Sequence, residues 1–165
     1  MDVDTNNPAR RPVRILEGQI ASAHAVRALA AYVKELDERL ESGFDPALTE
    51  PTDPEEVTPP RGDFLLMTGL NDGHVIACGA VRLVDQQTAE LRRMWVDPQM
   101  RGQGFGSRLL RTLENRARAL GARRAVMSLN PELVEGLQLA TSRGYLPVEP
   151  YRGDTTATIF LAKEL

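Results

Sequence analysis

The sequence has one cysteine, and it lacks a long apolar run, an apolar leader and an excess of basic residues. A single thiol, Cys78, excludes an intramolecular disulfide and favours a reducing compartment. No run of roughly 18 apolar residues and no charged-then-apolar leader occurs, so we expect neither a membrane span nor a secretory signal, and a cytoplasmic protein. The net charge of −3 argues against nucleic acid as the main partner.

A glycine-rich loop follows the strand-like run that ends at Val96. Glycines occupy every second position from Gly102 to Gly106. The chain then enters a predicted helix with one apolar stripe: Phe105, Leu109, Leu113, Ala117 and Leu120. Each glycine costs roughly 0.5–1 kcal/mol of backbone entropy relative to alanine, so three are a poor choice for an ordinary helix start. Bare backbone amides at a helix N-terminus bind anions, so the loop predicts a diphosphate cradle, with Arg101 as a cation at its lip.

Two familiar nucleotide-binding loops do not fit this spacing. A P-loop ends in Gly-Lys-Ser/Thr, and this loop has no lysine. A dinucleotide fold requires G-x-G-x-x-G after its first strand and an acid about 20 residues later. This loop reads G-x-G-x-G past mid-chain, and the next strand-like run, Arg124 to Leu129, is followed by Asn130 rather than an acid.

The loop and its flanks resemble the acetyl-CoA segment of the GNAT superfamily, the acyl-CoA-dependent N-acyltransferases. The family pattern Arg/Gln-x-x-Gly-x-Gly/Ala is met by Arg101, Gly104 and Gly106, and similar residues flank it at 90–98 and 108–110. The pair Gly144-Tyr145 and, more loosely, residues 13–165 extend the resemblance. It implies an α/β fold with a mixed, mostly antiparallel central sheet flanked by helices, whose strands splay at the acetyl-CoA site.

The resemblance also implies acetyl-CoA as co-substrate, no metal, and a set of coenzyme-binding residues. These lie at the end of the strand before the loop, in the loop itself and after the next strand: Met94, Trp95, Val96, Arg101, Gly102, Gln103, Gly104, Phe105, Gly106, Ser107 and Asn130. Asn130 matches an asparagine that touches the coenzyme in some relatives. Its position also suits the N-cap of a helix that begins at Pro131, so both roles stay open.

The chain reads as a flexible tail over 1–11 followed by a single domain over 12–165. Helical spacing predicts a helix from about Ile20 to Leu40, with Val26, Leu29, Ala30, Val33, Leu36 and Leu40 on its apolar stripe. Residues 43–62 are rich in proline and acid, which predicts a long irregular loop. This loop is either a solvated linker or a substrate-side flap whose carboxylates attract a cationic amine.

Three successive strands are predicted before the glycine loop. The runs Asp63–Leu70 and His74–Val84 form a hairpin at residues 71–73, and Thr88–Val96 follows another turn. Within Thr88–Val96 the apolar phase slips by one residue, as at a β-bulge, although burial of both faces would give a similar pattern. In the GNAT family a bulge here exposes backbone groups to the pantetheine arm. Beyond the loop helix we expect a strand over Arg124–Leu129, a helix from Asn130, and closing strands over 145–148 and 155–161.

Acetyl transfer to an amine requires a base, because an alkylammonium has a pKa near ~10, and it requires stabilisation of the carbonyl oxygen. Glu90 is the candidate base, since a similar glutamate acts through water in a subset of GNAT enzymes; the alternative is an exposed strand-edge carboxylate. Backbone amides over 94–96 would stabilise the oxygen. Many relatives have a tyrosine four residues before the glycine of the Gly-Tyr pair as acid, but Ala140 stands there. Tyr145, Tyr151 or solvent would then protonate the thiolate.

The leading hypothesis is an N-acetyltransferase that moves acetyl from acetyl-CoA to a primary amine of a small molecule or peptide, by direct attack in a ternary complex. Ala140 motivates an alternative, a catalytically silent acyl-CoA-binding or regulatory module. Nicotinamide-dependent redox chemistry is a third reading, which predicts binding of NAD instead of CoA. Relatives in this family are commonly homodimers, so the resemblance also allows a homodimer.

Overall fold

Seven strands of this chain form one sheet in the computed structural model, which describes residues 12–49, 51–153 and 157–165. The strands are β1 Val13–Leu16, β2 Gly62–Gly69, β3 Val75–Leu83, β4 Thr88–Val96, β5 Arg124–Leu129, β6 Leu146–Pro147 and β7 Ile159–Glu164. They lie in the order β1-β2-β3-β4-β5-β7-β6, and only the β4–β5 pair is parallel. The expected mixed, mostly antiparallel α/β sheet is confirmed. The predicted tail over 1–11 lies outside the described residues.

Among the described residues, four helices accompany the sheet: α1 Ala23–Arg39, α2 Pro46–Thr49, α3 Phe105–Ala119 and α4 Val134–Ser142. The same part of the chain contains two 3₁₀ turns, over Pro54–Val57 and Pro98–Met100. Among the helices of the described residues, none combines the length and the apolar character that crossing a bilayer requires.

The two faces of the sheet carry separate cores. The larger core packs α3 against the sheet, and the smaller one packs α1 against the other face. The approach of α3 is close at Gly79 of β3, where an added Cβ would lie 2.7 Å from Leu113 Cδ1. Because glycine has no Cβ, α3 can lie directly on the middle of the sheet.

Helix α1 begins later than its spacing predicts, and a different set of its side chains faces the sheet. Ser22 is the N-cap, and its Oγ accepts from the amide of Ala25 at 3.0 Å, so the helix starts at Ala23 and not at Ile20. Ala25 and Ala28 are fully buried or nearly so, whereas Val26 is 60% exposed. The predicted stripe was wrong at Val26 and at Ala30, which is also exposed, because Ala25 and Ala28 let α1 pack closely on that side and turn these two side chains outward.

The proline-rich region is more regular than predicted. Its loop contains α2 and the Pro54–Val57 turn, and Asp53 caps that turn by accepting from the amide of Glu55 at 2.9 Å. Val57 is 1% exposed and belongs to the core under α1. Proline fits at the first position of a helical turn, because the backbone N–H that proline lacks would have no hydrogen-bond partner within the turn at that position.

Other boundaries follow the prediction closely, with differences near the C-terminus. The spans of β4 and β5 are as predicted, and α3 ends before Gly121, whose φ is +104°. Helix α4 begins at Val134, after a turn in which Asn130 Oδ1 accepts from the amide of Glu132 at 2.9 Å, so Asn130 caps a turn and not the helix. Strand β6 has two residues, and residues 154–156 of the last predicted strand lie outside the described residues.

Candidate active site

Strands β4 and β5 pair only at their beginnings. Their register covers Thr88–Glu90 against Arg124–Val126 and ends there. From residue 91 to residue 96 the edge of β4 that faces β5 therefore has no paired strand. A main cleft of about 320 Å³ occupies this divergence, and it is lined by the ends of β4 and β5, the glycine loop, and the helices α1, α3 and α4.

A β-bulge in β4 coincides with the point where the strands diverge. Cys78 pairs with Trp95 and Ala80 pairs with Arg92, so Arg93 and Met94 together oppose the single residue Gly79. Arg93 has a φ of +52°, a left-handed conformation that is strained for a residue with a side chain. The predicted bulge is confirmed, and it redirects the last residues of β4 toward the cleft.

The glycine loop presents bare backbone to the main cleft. Gly102 and Gly104 have φ values of +76° and +82°, and an added Cβ at Gly102 would meet no atom within 4 Å. No side chain of the residues that the structure describes caps α3, and its first helical bond runs from the amide of Arg108 to the carbonyl of Gly104 at 3.2 Å. The amides of residues 105–107 therefore precede the helical ladder at the positive end of α3, in an arrangement that fits a diphosphate.

Arg101 lies at the cleft, but its guanidinium contacts protein groups. Nε donates to the carbonyl of Val96 at 3.0 Å, and Nη2 lies 2.6 Å from Glu35 Oε1 of α1. Arg39 of α1 pairs with Glu35 at 3.3 Å and also with Glu135 of α4. These four side chains, which we call the rim network, connect α1, the glycine loop and α4 around the cleft.

Glu90 is buried on the face of β4 opposite to Ala89 and Leu91, since alternate residues of a strand point to opposite faces. The alternative of an exposed strand-edge carboxylate was therefore wrong. Its Oε1 atom lies 2.9 Å from Arg92 Nε, 3.1 Å from Arg82 Nη2 and 3.4 Å from Arg152 Nη1. Its Oε2 atom is buried and has no hydrogen-bond partner among the described residues.

Two further cavities lie near this carboxylate. A splay cavity of about 110 Å³ is lined by the diverging parts of β4 and β5 and by apolar side chains that include Tyr32 and Phe44. A larger cavity of about 490 Å³, which we call the Glu90 cavity, is bounded by Arg82, Glu90, Val126, Tyr151 and Arg152.

Three carboxylates of the acidic loop contact protein groups, whereas Glu55 is exposed. Glu56 pairs with Arg82 at 2.9 Å, and this contact lowers the pKa of Glu56 against the opposing effect of burial. Asp45 and Asp53 accept from backbone amides of their own turns at 2.9 Å. The loop also contacts Arg92, whose Nη1 donates to the carbonyl of Pro51 and to Thr52.

The candidate acids are placed apart from one another. Tyr145 is 1% exposed, and its hydroxyl donates to Glu114 Oε1 at 3.0 Å, outside the residues that line the three cavities. Burial and the nearby Glu114 charge raise the pKa of Tyr145 far above its ordinary value. We therefore do not carry Tyr145 forward as an acid. Ala140 lines the main cleft and has no proton to donate.

Tyr151 lies at the Glu90 cavity, with its hydroxyl near Ser128 and Glu90. Burial of the hydroxyl and the charge of Glu90 raise its pKa well above the ordinary value, so the phenol keeps its proton at neutral pH. Because Ser128 lines the splay cavity, Tyr151 stands between the splay cavity and the Glu90 cavity.

The structure brings most of the predicted coenzyme residues together around the main cleft. Those that line it are Met94, Trp95, Val96, Arg101, Gly102, Gly104, Phe105 and Gly106. Gln103 of the glycine loop and Ser107 in the first turn of α3 do not line the cleft, and Asn130 lines the splay cavity.

Sequence reasoning missed Arg82 and Arg152 as neighbours of Glu90, and Glu35 as the partner of Arg101. The register of β3 and β4 places Arg82 directly opposite Glu90, so the tight turn between these strands carried a usable signal for Arg82. No local pattern marks Arg152, which comes from a loop 62 residues further along the chain.

Comparisons with known proteins agree with this geometry. The model of the family described as Acetyltransferase (GNAT) family matches residues 28–135, which is more than half of the chain. A protein of Azospirillum brasilense named IAA acetyltransferase is 27% identical over 142 residues, which cover 84% of this chain and 91% of that protein.

Solved structures show the same fold. A GNAT-family acetyltransferase of Staphylococcus aureus MU50 superposes with a TM-score of 0.75 at 13% identity, covering 93% of this chain and 99% of that one. A GNAT-family acetyltransferase of Elizabethkingia anophelis, solved with acetyl-CoA bound, gives a TM-score of 0.65 at 16% identity and covers 94% and 99% of the two chains. The chain therefore belongs to the Acetyltransferase (GNAT) family, the acyl-CoA-dependent N-acetyltransferases.

Proposed function

We propose that this protein transfers an acetyl group from acetyl-CoA to a primary amine by direct attack in a ternary complex. The observation that carries the proposal is the continuity of the main cleft, which joins the open glycine loop to the unpaired edge of β4. A ligand with a diphosphate at one end and a thioester at the other matches these two features.

The residues that would hold acetyl-CoA act mainly through their backbone. The amides over 102–107 would bind the diphosphate at the positive end of α3. The unpaired edge of β4 over 91–96 offers main-chain groups to the pantetheine arm in the way that a sheet edge accepts an added strand. Bound there, acetyl-CoA supplies an activated acetyl group, and backbone amides near the bulge would stabilise charge on its carbonyl oxygen.

Glu90 has the geometry of a base whose two oxygens differ in role. Three arginines fix Oε1, so the carboxylate cannot rotate freely, while Oε2 remains as an acceptor for a proton. Glu90 also lies at the last paired position of β4, directly before the divergence. We infer that Oε2 takes the proton of the attacking amine, either directly or through one water.

The departing thiolate has no acid in the main cleft at the position of Ala140. A thiol with a pKa near ~8.5 is a tolerable leaving group, and solvent can protonate it. We therefore expect that solvent protonates the thiolate and that no internal acid is needed. If a side chain does act as the acid, the candidate that remains is Tyr151 at the Glu90 cavity.

Two measurements test the proposal. Calorimetric titration with acetyl-CoA should show binding, and thiol release in the presence of a panel of primary amines should show turnover on at least one of them. Binding without turnover on any amine would favour the silent module that Ala140 motivates. If acetyl-CoA does not bind, both readings fail.

A further inference from the structure

Two residues that line the Glu90 cavity each have one buried polar atom, and the two atoms are of opposite character. Arg82 Nε is a donor and Glu90 Oε2 is an acceptor, and neither has a hydrogen-bond partner among the described residues. Both residues line the same cavity of about 490 Å³. Buried polar groups of folded proteins are nearly always paired, so two such atoms on residues that line one cavity indicate groups that a ligand completes.

The two atoms belong to one ion pair. Arg82 Nη2 and Glu90 Oε1 lie 3.1 Å apart, and the residues are direct partners in the β3–β4 register. Nε and Oε2 are the remaining atoms of the same two planar groups. A ligand that satisfies both must therefore present a donor and an acceptor within a few bonds of each other.

The charges of these groups define the chemistry of the ligand. A carboxylate accepts best from a guanidinium, and an amine or ammonium donates best to a carboxylate. The other charged groups that line the cavity are engaged or exposed: Arg152 Nη1 lies 3.4 Å from Glu90 Oε1, Asp85 accepts from the amides of Gln87 and Thr88, Arg124 pairs with Glu164, and Glu149 faces solvent. The deep part of the cavity thus suits a molecule with both an amine and an acid.

We propose that the acceptor is a small amino acid-like molecule, in which the amine to be acetylated lies within a few bonds of a carboxylate. Glu90 Oε2 binds the amine and Arg82 Nε binds the carboxylate. This inference rests on the proposed acetyl transfer. It replaces the expectation of a cationic amine, because Glu56, the acidic-loop carboxylate that reaches this cluster, pairs with Arg82.

The transfer step balances with these groups. The amine gives a proton to Glu90 Oε2, and its nitrogen forms a bond to the acetyl carbonyl carbon. The carbon–sulfur bond breaks, and the electron pair leaves on the CoA sulfur, which takes a proton from solvent. The substrate carboxylate stays on Arg82 throughout and keeps the nitrogen beside Glu90.

Matched acceptors test the inference on the unmodified protein. Each set contains an amino acid, its methyl ester and the amine that lacks the carboxylate, for example glycine, glycine methyl ester and methylamine. The twenty standard amino acids and β-alanine supply the sets, and spermidine represents polycations. Thiol release and the mass of the product are measured with saturating acetyl-CoA. We expect kcat/KM for the free acid to exceed that of its ester and amine by about 10- to 100-fold in at least one set, the ratio of one charge-assisted hydrogen bond.

The variant Arg82→Gln should reduce this acid-to-ester ratio about tenfold or more, chiefly through a higher KM for the free acid. Arg118→Gln is the matched control, because Arg118 is an exposed arginine of α3 whose side chain contacts Asn115 at 2.9 Å. A merely structural role of Arg82 would lower the rates of acid and ester together. If Arg82→Gln does not fold, the ratio on the unmodified protein still decides the matter.

The results separate this inference from the proposed function. Acetylation in which esters, plain amines or spermidine equal or exceed every free acid would overturn the amino acid-like acceptor and leave acetyl transfer standing. Binding of acetyl-CoA with no turnover of any acceptor would overturn both the inference and direct transfer, in favour of a silent module. Absence of acetyl-CoA binding would remove the proposed function, and this inference with it.

Discussion

The main cleft and the Glu90 cavity lie on neighbouring parts of β4, yet they present different kinds of chemical group to a ligand. The main cleft presents backbone, through a glycine loop and an unpaired strand edge. The Glu90 cavity presents charged side chains that three separate segments bring together. Backbone recognises a feature common to every acyl-CoA, whereas side chains can differ from one acceptor to another. The contrast predicts that substitutions on the two sides affect different kinetic constants.

Glu90→Gln should separate the two regions most strongly. Removing the charge of the candidate base is expected to lower kcat by roughly 10²- to 10⁴-fold while acetyl-CoA affinity stays the same. The measurements are thiol release over a range of pH and calorimetric titration with acetyl-CoA. Glu38→Gln is the control, because Glu38 is an exposed residue of α1 whose carboxylate lies 3.9 Å from Lys34.

Folding of the Glu90 variant needs its own check, since removing one charge from a buried ion cluster costs about 3–5 kcal/mol in other proteins. Thermal melting of Glu90→Gln measures that cost directly. If the variant does not fold, Glu90→Asp is used in its place, because aspartate keeps the negative charge while its shorter side chain moves the carboxylate oxygens back toward the strand. An unchanged rate and pH profile in a folded variant would exclude Glu90 from the chemistry.

Gly102→Ala should act on the main cleft and not on the acceptor. The φ of +76° makes alanine strained there by roughly 1–2 kcal/mol, and the loop relaxes away from its open shape. We expect acetyl-CoA affinity to fall about tenfold and kcat at saturation to change little. The measurements are calorimetric titration and the KM for acetyl-CoA.

Gly121→Ala is a closely matched control for this loop variant. Its φ is +104°, and an added Cβ meets no atom within 4 Å, as at Gly102. Gly121 lies after the end of α3, outside the lining of the main cleft. Both variants should lose similar stability, but only Gly102→Ala should lose coenzyme affinity. Equal affinity in the two variants would contradict the cradle.

How far the sequence predicts these two regions follows from their construction. A backbone site is visible where it demands glycine, so the residues from Gly102 to Gly106 and the start of α3 were predictable. The positive φ of Arg93 was not predictable, because an arginine in the sequence does not indicate that conformation. Only the slip in apolar phase pointed to the bulge. Most of the Glu90 cavity could not be predicted from the sequence. Arg152 reaches Glu90 from a position 62 residues away in the chain, and no spacing pattern indicates that contact.

Glu35→Gln should have a smaller effect, in the opposite direction. The Glu35 carboxylate holds Arg101 Nη2 at 2.6 Å, and a bound diphosphate would compete with it for that cation. Because both side chains are partly exposed, the pair is worth only about 0.2–1 kcal/mol. We expect the KM for acetyl-CoA to fall about two- to fivefold, with unchanged acceptor kinetics, and Glu38→Gln again serves as control. A rise in this KM would show that the rim network supports the cleft instead of competing with the ligand.

Cys78 lies at the boundary of the two regions, and its substitution should have the smallest effect on activity. Its Sγ lies 3.7 Å from the carbonyl of Arg93 at the bulge, and burial raises the pKa of the thiol from 9.0 to about 12 against the weaker opposing charge of Arg93. The folded thiol is therefore neutral at neutral pH and should resist an aromatic disulfide reagent until the chain unfolds. Turnover of Cys78→Ala should match that of the unmodified protein.

The same thiol makes the stability of the fold depend on alkaline pH. Below pH 9.0 the thiol is protonated in both states and its contribution to stability is complete. Between pH 9.0 and about 12 it ionises in the unfolded chain but not in the folded one, so stability falls as pH rises, by at most about 1.4 kcal/mol per pH unit. Urea unfolding at pH 8 and pH 10 should show this loss in the unmodified protein and a smaller loss in Cys78→Ala. An equal loss in both would mean that the thiol at the bulge reaches solvent, and that the bulge is more open than the structure shows.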